Sequence, residues 1–211
     1  MRKPIGFSLI ELNIALVILG LMLAAALPLI STQIDWGERM RAKKDLLEIK
    51  EALLGYAQVT GTLPCPDVNS DGVADACANA NVTAATEGAV PWAILAINAK
   101  DPWGRFYQYR VNNGYSAIFS LTTSGSGSGI IKICADANCQ KTEASNVPFV
   151  IYSKGKNGGI PTQPNTDEGE NADLDGTFVS HELVQNGFDD LLIWASNNVL
   201  MNRMVSVGKL P

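Results

Sequence analysis

"GFSLIELNIALVILGLMLAAALPLI" runs from Gly6 to Ile30 and carries one charged group, Glu11, close to its start. The stretch from Phe7 to Ile30 is long and apolar enough to span a bilayer as a helix. Arg2 and Lys3 precede it, which predicts a cytoplasmic start and an exported remainder. A secretory signal peptide is the competing reading, and "AAALP" at 24–28 imitates a cleavage site. Against it, the apolar run begins immediately after Gly6 and holds a carboxylate in its first turns. A carboxylate in hydrocarbon costs about 2.5–3.5 kcal/mol on insertion scales, so it usually marks a functional contact. Cleavage between Gly6 and Phe7 would free an amine one helical turn before Glu11. The carboxylate then has a cation to meet, either its own terminus or that of a neighbouring copy packed out of register. A Glu that merely snorkels to the headgroups is the plainer alternative.

Beyond this run the pattern becomes amphipathic. Met40, Leu46, Leu47, Leu53, Leu54 and Ala57 recur at helical spacing among charged residues, and Gly61 and Pro64 stop the helix. A helix over 7–60 would be ~80 Å long at 1.5 Å per residue. The remainder, 61–211, reads as a globular domain of loops and strands. "VPWAILAI" (90–97) is a short apolar element, helix or turn. "DPWGRFYQYRV" (101–111) and "YSAIFSLTT" (115–123) flank "NNG", a hairpin signal. "SGSGSG" (124–129) is a flexible connector. "IIKIC" (130–134), "VPFVIYSKG" (147–155) and "FDDLLIWAS" (188–196) are further strands, and "NNVLMNRMV" a closing helix. One long helix followed by several antiparallel strands predicts an α+β fold.

The chain has 211 residues and a net charge of −5, which disfavours a phosphate-binding face and hence nucleic acid as a partner. Trp36, Trp92, Trp103 and Trp194 then read as core or interface anchors. The four cysteines fall into two local pairs, Cys65 with Cys77 and Cys134 with Cys139; no CxxC occurs, and His181 is the only histidine. In an exported domain two short-loop disulfides are the better reading, and four unpaired thiols the other. No hydrolase motif surrounds His181, and neither "GSGSG" nor "GKNGG" has the Lys-Ser/Thr ending of a phosphate loop. No catalytic constellation is present, so the sequence does not predict an enzyme.

"GFSLIEL" (6–12) resembles the type IV prepilin processing motif, and the chain resembles a type IV pilin or type II secretion pseudopilin. The resemblance implies a leader, 1–6, cut after Gly6 by an inner-membrane prepilin peptidase. It also implies N-methylation of Phe7 and use of Glu11 with Phe7 in filament assembly. Pro28 lies where many such proteins have a helix-kinking proline. "DPWGRFYQY" resembles the D-P-W-G-x-x-Y-x-Y stretch of the major pseudopilin, and "YSKGKNGG" with "FDDLLIW" its later segment. The insertion at 160–187 and the Cys-bracketed loop at 65–77 depart from that pattern. The implied fold is pilin-like, a long N-terminal helix, membrane-spanning over about 7–30, packed on an antiparallel sheet.

Two loops have the chemistry of a hard cation site. "DVNSDGVAD" places Asp67, Asn69, Asp71 and Asp75 around Gly72. "NADLDGTFVSHE" carries Asn171, Asp173, Asp175 and Glu182 at EF-hand spacing, with Asn at the first position. Both also suit plain surface turns. The major pseudopilins that the chain resembles carry a structural calcium in their C-terminal loops, which favours the second region with Asp189 and Asp190. The leading expectation is a filament subunit anchored in the bacterial inner membrane with a periplasmic domain. Its partners would be copies of itself, other pilins or pseudopilins, the peptidase and the assembly platform. The alternative is a membrane-anchored minor pilin-like module that binds a surface, a sugar or DNA without forming the filament body.

Overall fold

The computed structural model describes residues 8–77, 87–123, 130–158, 166–184 and 187–210, with 25–31 as backbone only. The predicted leader at 1–6, the Gly6–Phe7 bond and the connector at 124–129 lie outside these residues. The chain divides into two units, Met1–Met40 and Arg41–Pro211. One helix, α1 (Leu9–Thr60), contributes to both.

In the first unit every large apolar side chain from Leu9 to Leu23 is more than half exposed. The helix runs through Pro28 without a break in its assignment. Among the described residues no helix is long and apolar enough to cross a membrane. The predicted span at 7–30 includes Phe7 and the side chains at 25–30, which lie outside them.

In the second unit α1 buries one stripe, formed by Ala42, Leu46, Ile49, Leu53, Leu54 and Ala57. Met40 and Leu47, predicted as part of it, are about half exposed. Each residue turns the helix by roughly 100°, so Leu47 faces away from the line that Leu46, Ile49 and Leu53 share. Asp45 lies in the stripe and accepts a hydrogen bond from the Tyr107 hydroxyl at 3.1 Å. Its charge in turn adds to burial in holding the Tyr107 phenol well above its ordinary range. Gly61 ends the helix with φ +84°, and its N–H closes on the Ala57 carbonyl at 2.8 Å.

After α1 come β1 (Glu87–Ala89), α2 (Trp92–Leu95), β2 (Gln108–Val111), a 3₁₀ turn (Asn113–Tyr115), β3 (Lys132–Cys134), β4 (Thr142–Ser145) and β5 (Phe149–Ser153). Then follow α3 (Asp167–Glu170), β6 (Thr177–Val179), β7 (Leu191–Ala195) and α4 (Asn197–Ser206). The main sheet is antiparallel, in the order β1-β2-β5-β7. A second sheet, β4-β3-β6, pairs β3 with β6 in parallel. β5 is buried on both faces. Its Phe149 and Ile151 join the core built with α1 and α4, while Val150 and Tyr152 pack with Ile131, Ile133 and Phe178 of the second sheet. The fold is thus α+β and pilin-like, with the N-terminal helix packed on an antiparallel sheet.

The hairpin predicted at 101–123 does not form. Asn112 is buried, and its side chain accepts from Gly114 N–H and donates to Asn146 Oδ1 and the Val147 carbonyl. The chain therefore winds into the 3₁₀ turn, Tyr115 drops into the core, and β2 takes β5 as its partner. Leu53→Ala is expected to lower domain stability by about 2–5 kcal/mol, and Leu47→Ala by no more than about 0.5 kcal/mol. Denaturant unfolding of the two variants measures the difference.

Candidate functional site

Ser8 precedes the first helical residue, and its carbonyl accepts the Leu12 N–H at 3.1 Å. The Glu11 carboxylate reaches back to the Ser8 N–H at 3.0 Å. This is the Glu half of a capping box, with the acid placed at the positive end of the helix dipole. This cap is not among the sequence-based expectations; its local signal is the S-x-x-E pattern at 8–11. Phe7, expected to meet Glu11, and Gly6, the expected cleavage site, lie outside the described residues.

The cysteines form two disulfides, Cys65–Cys77 and Cys134–Cys139. In the loop that the first one closes, the predicted ligands serve the backbone instead. Asp67, fully buried, accepts from Gly72 and Asp71 N–H; Asn69 accepts from Asp71 N–H, and Asp71 from Val73 N–H. Asp75 accepts from Val68 and Asn69 N–H. Gly72, at φ +93°, lies so close to the Trp92 indole that a Cβ would fall 2.7 Å from it. Among the described residues these four side chains form no carboxylate cluster.

The C-terminal acids do converge, in two groups whose ligand atoms lie within 4.8 Å of one another. One group is Glu168, Asp189 and Asp190, and the other Glu170, Asp173 and Asp175. The first is the more buried. Thr166 caps α3 by accepting Gly169 N–H at 3.1 Å, which fixes Glu168 on the inner side. Asn157 Nδ2 donates to both oxygens of Glu168, and Asp189 N–H donates to its Oε1. Asp189 Oδ2 accepts from Lys156 and Asn157 N–H in the turn after β5. That turn needs Gly155, at φ +59°, because a Cβ there would collide with the Asp189 carboxylate. Asp190, immediately before β7, is 3% exposed. Its Oδ2 accepts from Asn171 Nδ2 at 2.8 Å, and its buried Oδ1 has no hydrogen-bond partner among the described residues.

Burial, more than the neighbouring charges of Glu168 and Asp189, pushes the Asp190 carboxyl up to about 7. Three gathered carboxylates and one buried oxygen without a donor among the described residues fit a hard cation with oxygen ligands. The second group is more open. Asp173 accepts Asp175 N–H, Asp175 accepts Thr177 N–H, and partial burial with the neighbouring acids raises the Glu170 and Asp173 carboxyls.

The EF-hand spacing at 171–182 is not realised. Asn171 is buried, with its amide tied to both the N–H and the carbonyl of Val179 and to Asp190. Residues 177–179 form β6, and Glu182, exposed beyond it, belongs to neither group. Sequence reasoning missed Glu168, which is distant along the chain from Asp189. Its only local signal is a position just inside a Thr-capped helix start. His181 sits beside that start, with Nε2 2.9 Å from Asp167 Oδ2 and its ring on Phe188.

The model of the prokaryotic N-terminal methylation motif matches residues 1–27. The chain is 27% identical over 131 residues to the type II secretion system core protein G of Vibrio cholerae serotype O1 (strain ATCC 39315 / El Tor Inaba N16961). The match covers 61% of this chain and 87% of that protein. No solved structure matches. Motif and relative together support membership of the pilin and pseudopilin family.

Without a cation, folded Asp190 holds its proton up to about pH 7, whereas in the unfolded chain it ionises near 3.8. The folded state binds the extra proton between these values, so the contribution of this group to stability falls as pH rises from about 4 to about 7. Asp190→Asn should flatten that part of the profile, as read by melts in chelator across this range.

Proposed function

We propose that the chain is a structural subunit of a type II secretion pseudopilus or type IV pilus. The observation that carries this reading is the surface from Leu9 to Leu23, apolar and exposed on all sides and headed by one carboxylate. Such a surface needs lipid or other copies of the same helix. The similarity to a type II secretion core protein supports the pseudopilus branch. Prepilin peptidase cuts after Gly6, and Phe7 becomes the N-methylated terminus. The helix at 7–30 holds the subunit in the inner membrane, with 61–211 in the periplasm. On assembly at the inner-membrane platform, Glu11 exchanges its Ser8 N–H for a Phe7 amine of a neighbouring copy or another pilin-like subunit. Pro28 lets the bundled helices bend.

Glu11→Ala should leave membrane insertion intact and abolish filament incorporation. The readouts are membrane fractionation and electron microscopy of sheared surface material. Full incorporation of the variant would overturn the assembly role of Glu11 and favour the non-polymerising binding module.

Glu168, Asp189 and Asp190 hold calcium in this reading, with a structural role. The ion would neutralise three gathered acids and tie α3, the β5 turn and the start of β7 together. At a hundredfold excess over Kd, calcium should raise the melting temperature by about 5–10 °C over chelator, and Asp190→Asn should remove the rise. Identical melting curves in calcium and EDTA would sink the site.

A further inference from the structure

We propose that Arg105 is a positioning residue for this cation site, acting on Asp189 through two consecutive peptide planes; the role rests on the calcium reading above. Arg105 Nη1 donates to the Gly155 carbonyl at 2.6 Å, and Nη2 to the Lys156 carbonyl at 3.1 Å. The N–H groups of the same two peptide units, those of Lys156 and Asn157, donate to Asp189 Oδ2 at 2.9 and 3.1 Å. One peptide bond thus joins the Gly155 carbonyl to the Lys156 N–H, and the next joins the Lys156 carbonyl to the Asn157 N–H. A cation grips both planes at the oxygen end, and an anion grips both at the hydrogen end.

Charge on one end of a peptide polarises the whole unit and strengthens the hydrogen bond at the other. The planar guanidinium fork suits two adjacent carbonyls, which a lysine ammonium, a single point charge, does not. Arg105 is itself held in place. Asp101 Oδ1 accepts the Arg105 and Trp103 N–H, and Asp101 Oδ2 accepts the Ser153 hydroxyl at the end of β5. Gly158, at φ +77°, leaves room for the guanidinium; a Cβ there would lie 2.7 Å from its nitrogens. Arg105 bonds the two carbonyls, so its effect passes through the backbone to the oxygen that fixes the orientation of Asp189.

The test uses the full chain in detergent, calorimetric titration with calcium chloride, and melting curves in calcium and in EDTA. Arg105→Gln should weaken calcium binding by about 10- to 100-fold, the range for groups that orient metal ligands, and shrink the calcium-induced rise in melting temperature. Arg105→Lys should fall between the two. An anchor for the fold alone would lower both melting temperatures equally and leave affinity and rise unchanged, and that result overturns the proposal. Should Arg105→Gln fail to fold, Arg105→Lys decides, with wild-type affinity overturning the role and weakened affinity supporting it. A wild-type chain that takes up no calcium overturns the cation site and this role with it. Uptake by wild type, lost in Asp190→Asn but unaltered in Arg105→Gln, overturns only the role of Arg105.

Discussion

A single helix here must satisfy two incompatible surroundings, and the rest of the structure depends on that constraint. From Leu9 to Leu23 it has no polar side beyond Glu11 and Asn13, so water is a poor solvent for any face of it. From Ala42 to Ala57 it has one buried stripe and a charged surround. The stripe supplies the long apolar surface against which a small antiparallel sheet completes its core. The proposed subunit, with its first part in lipid or among other helices and its second part organising a domain, uses this change in pattern along one element.

The domain is built in layers around β5. Its alternate residues feed two cores, one under α1 and α4 and the other under the small sheet. Polar groups caught between those layers are paired. Arg110, fully buried on β2, bonds Glu87 directly across on β1 at 2.9 Å, and Tyr152 on β5 donates to the other Glu87 oxygen. Arg110 also donates to the Leu174 carbonyl at 2.7 Å, which ties the main sheet to the loop before β6. Breaking such a buried pair leaves an uncompensated charge, so loss of either partner is strongly destabilising. The acidic group at Glu168, Asp189 and Asp190 differs because it gathers negative charge around an oxygen with no donor among the described residues.

The long helix, its stop at Gly61, the strands at 130–134, 147–155 and 188–196 and the closing helix were legible in residue pattern alone. Periodicity and breakers act locally, and the local choice there agrees with the final packing. The capping contact at 8–11 was not read, although its S-x-x-E signal spans one helical turn. β1, β4 and β6 were not legible, since they are short and lack an apolar run such as the IIKIC that marked the equally short β3. The hairpin at 101–123 was misread because a buried Asn112 side chain, rather than turn propensity, decided the backbone after β2.

The sequence by itself determined that this chain has an apolar helix with one acid at its head, two local cysteine pairs and acid-rich C-terminal loops. Those properties belong to neighbouring residues, and chemistry at short range is written in spacing. Only the tertiary structure decided which acids meet. It left Glu182 exposed and outside both acidic groups, turned Asn171 into a buried brace, and brought Glu168 to Asp189 and Asp190 across a wide gap in the chain. Strand pairing and burial set that choice, because a carboxylate becomes a ligand only where folding removes its water and places other oxygens beside it.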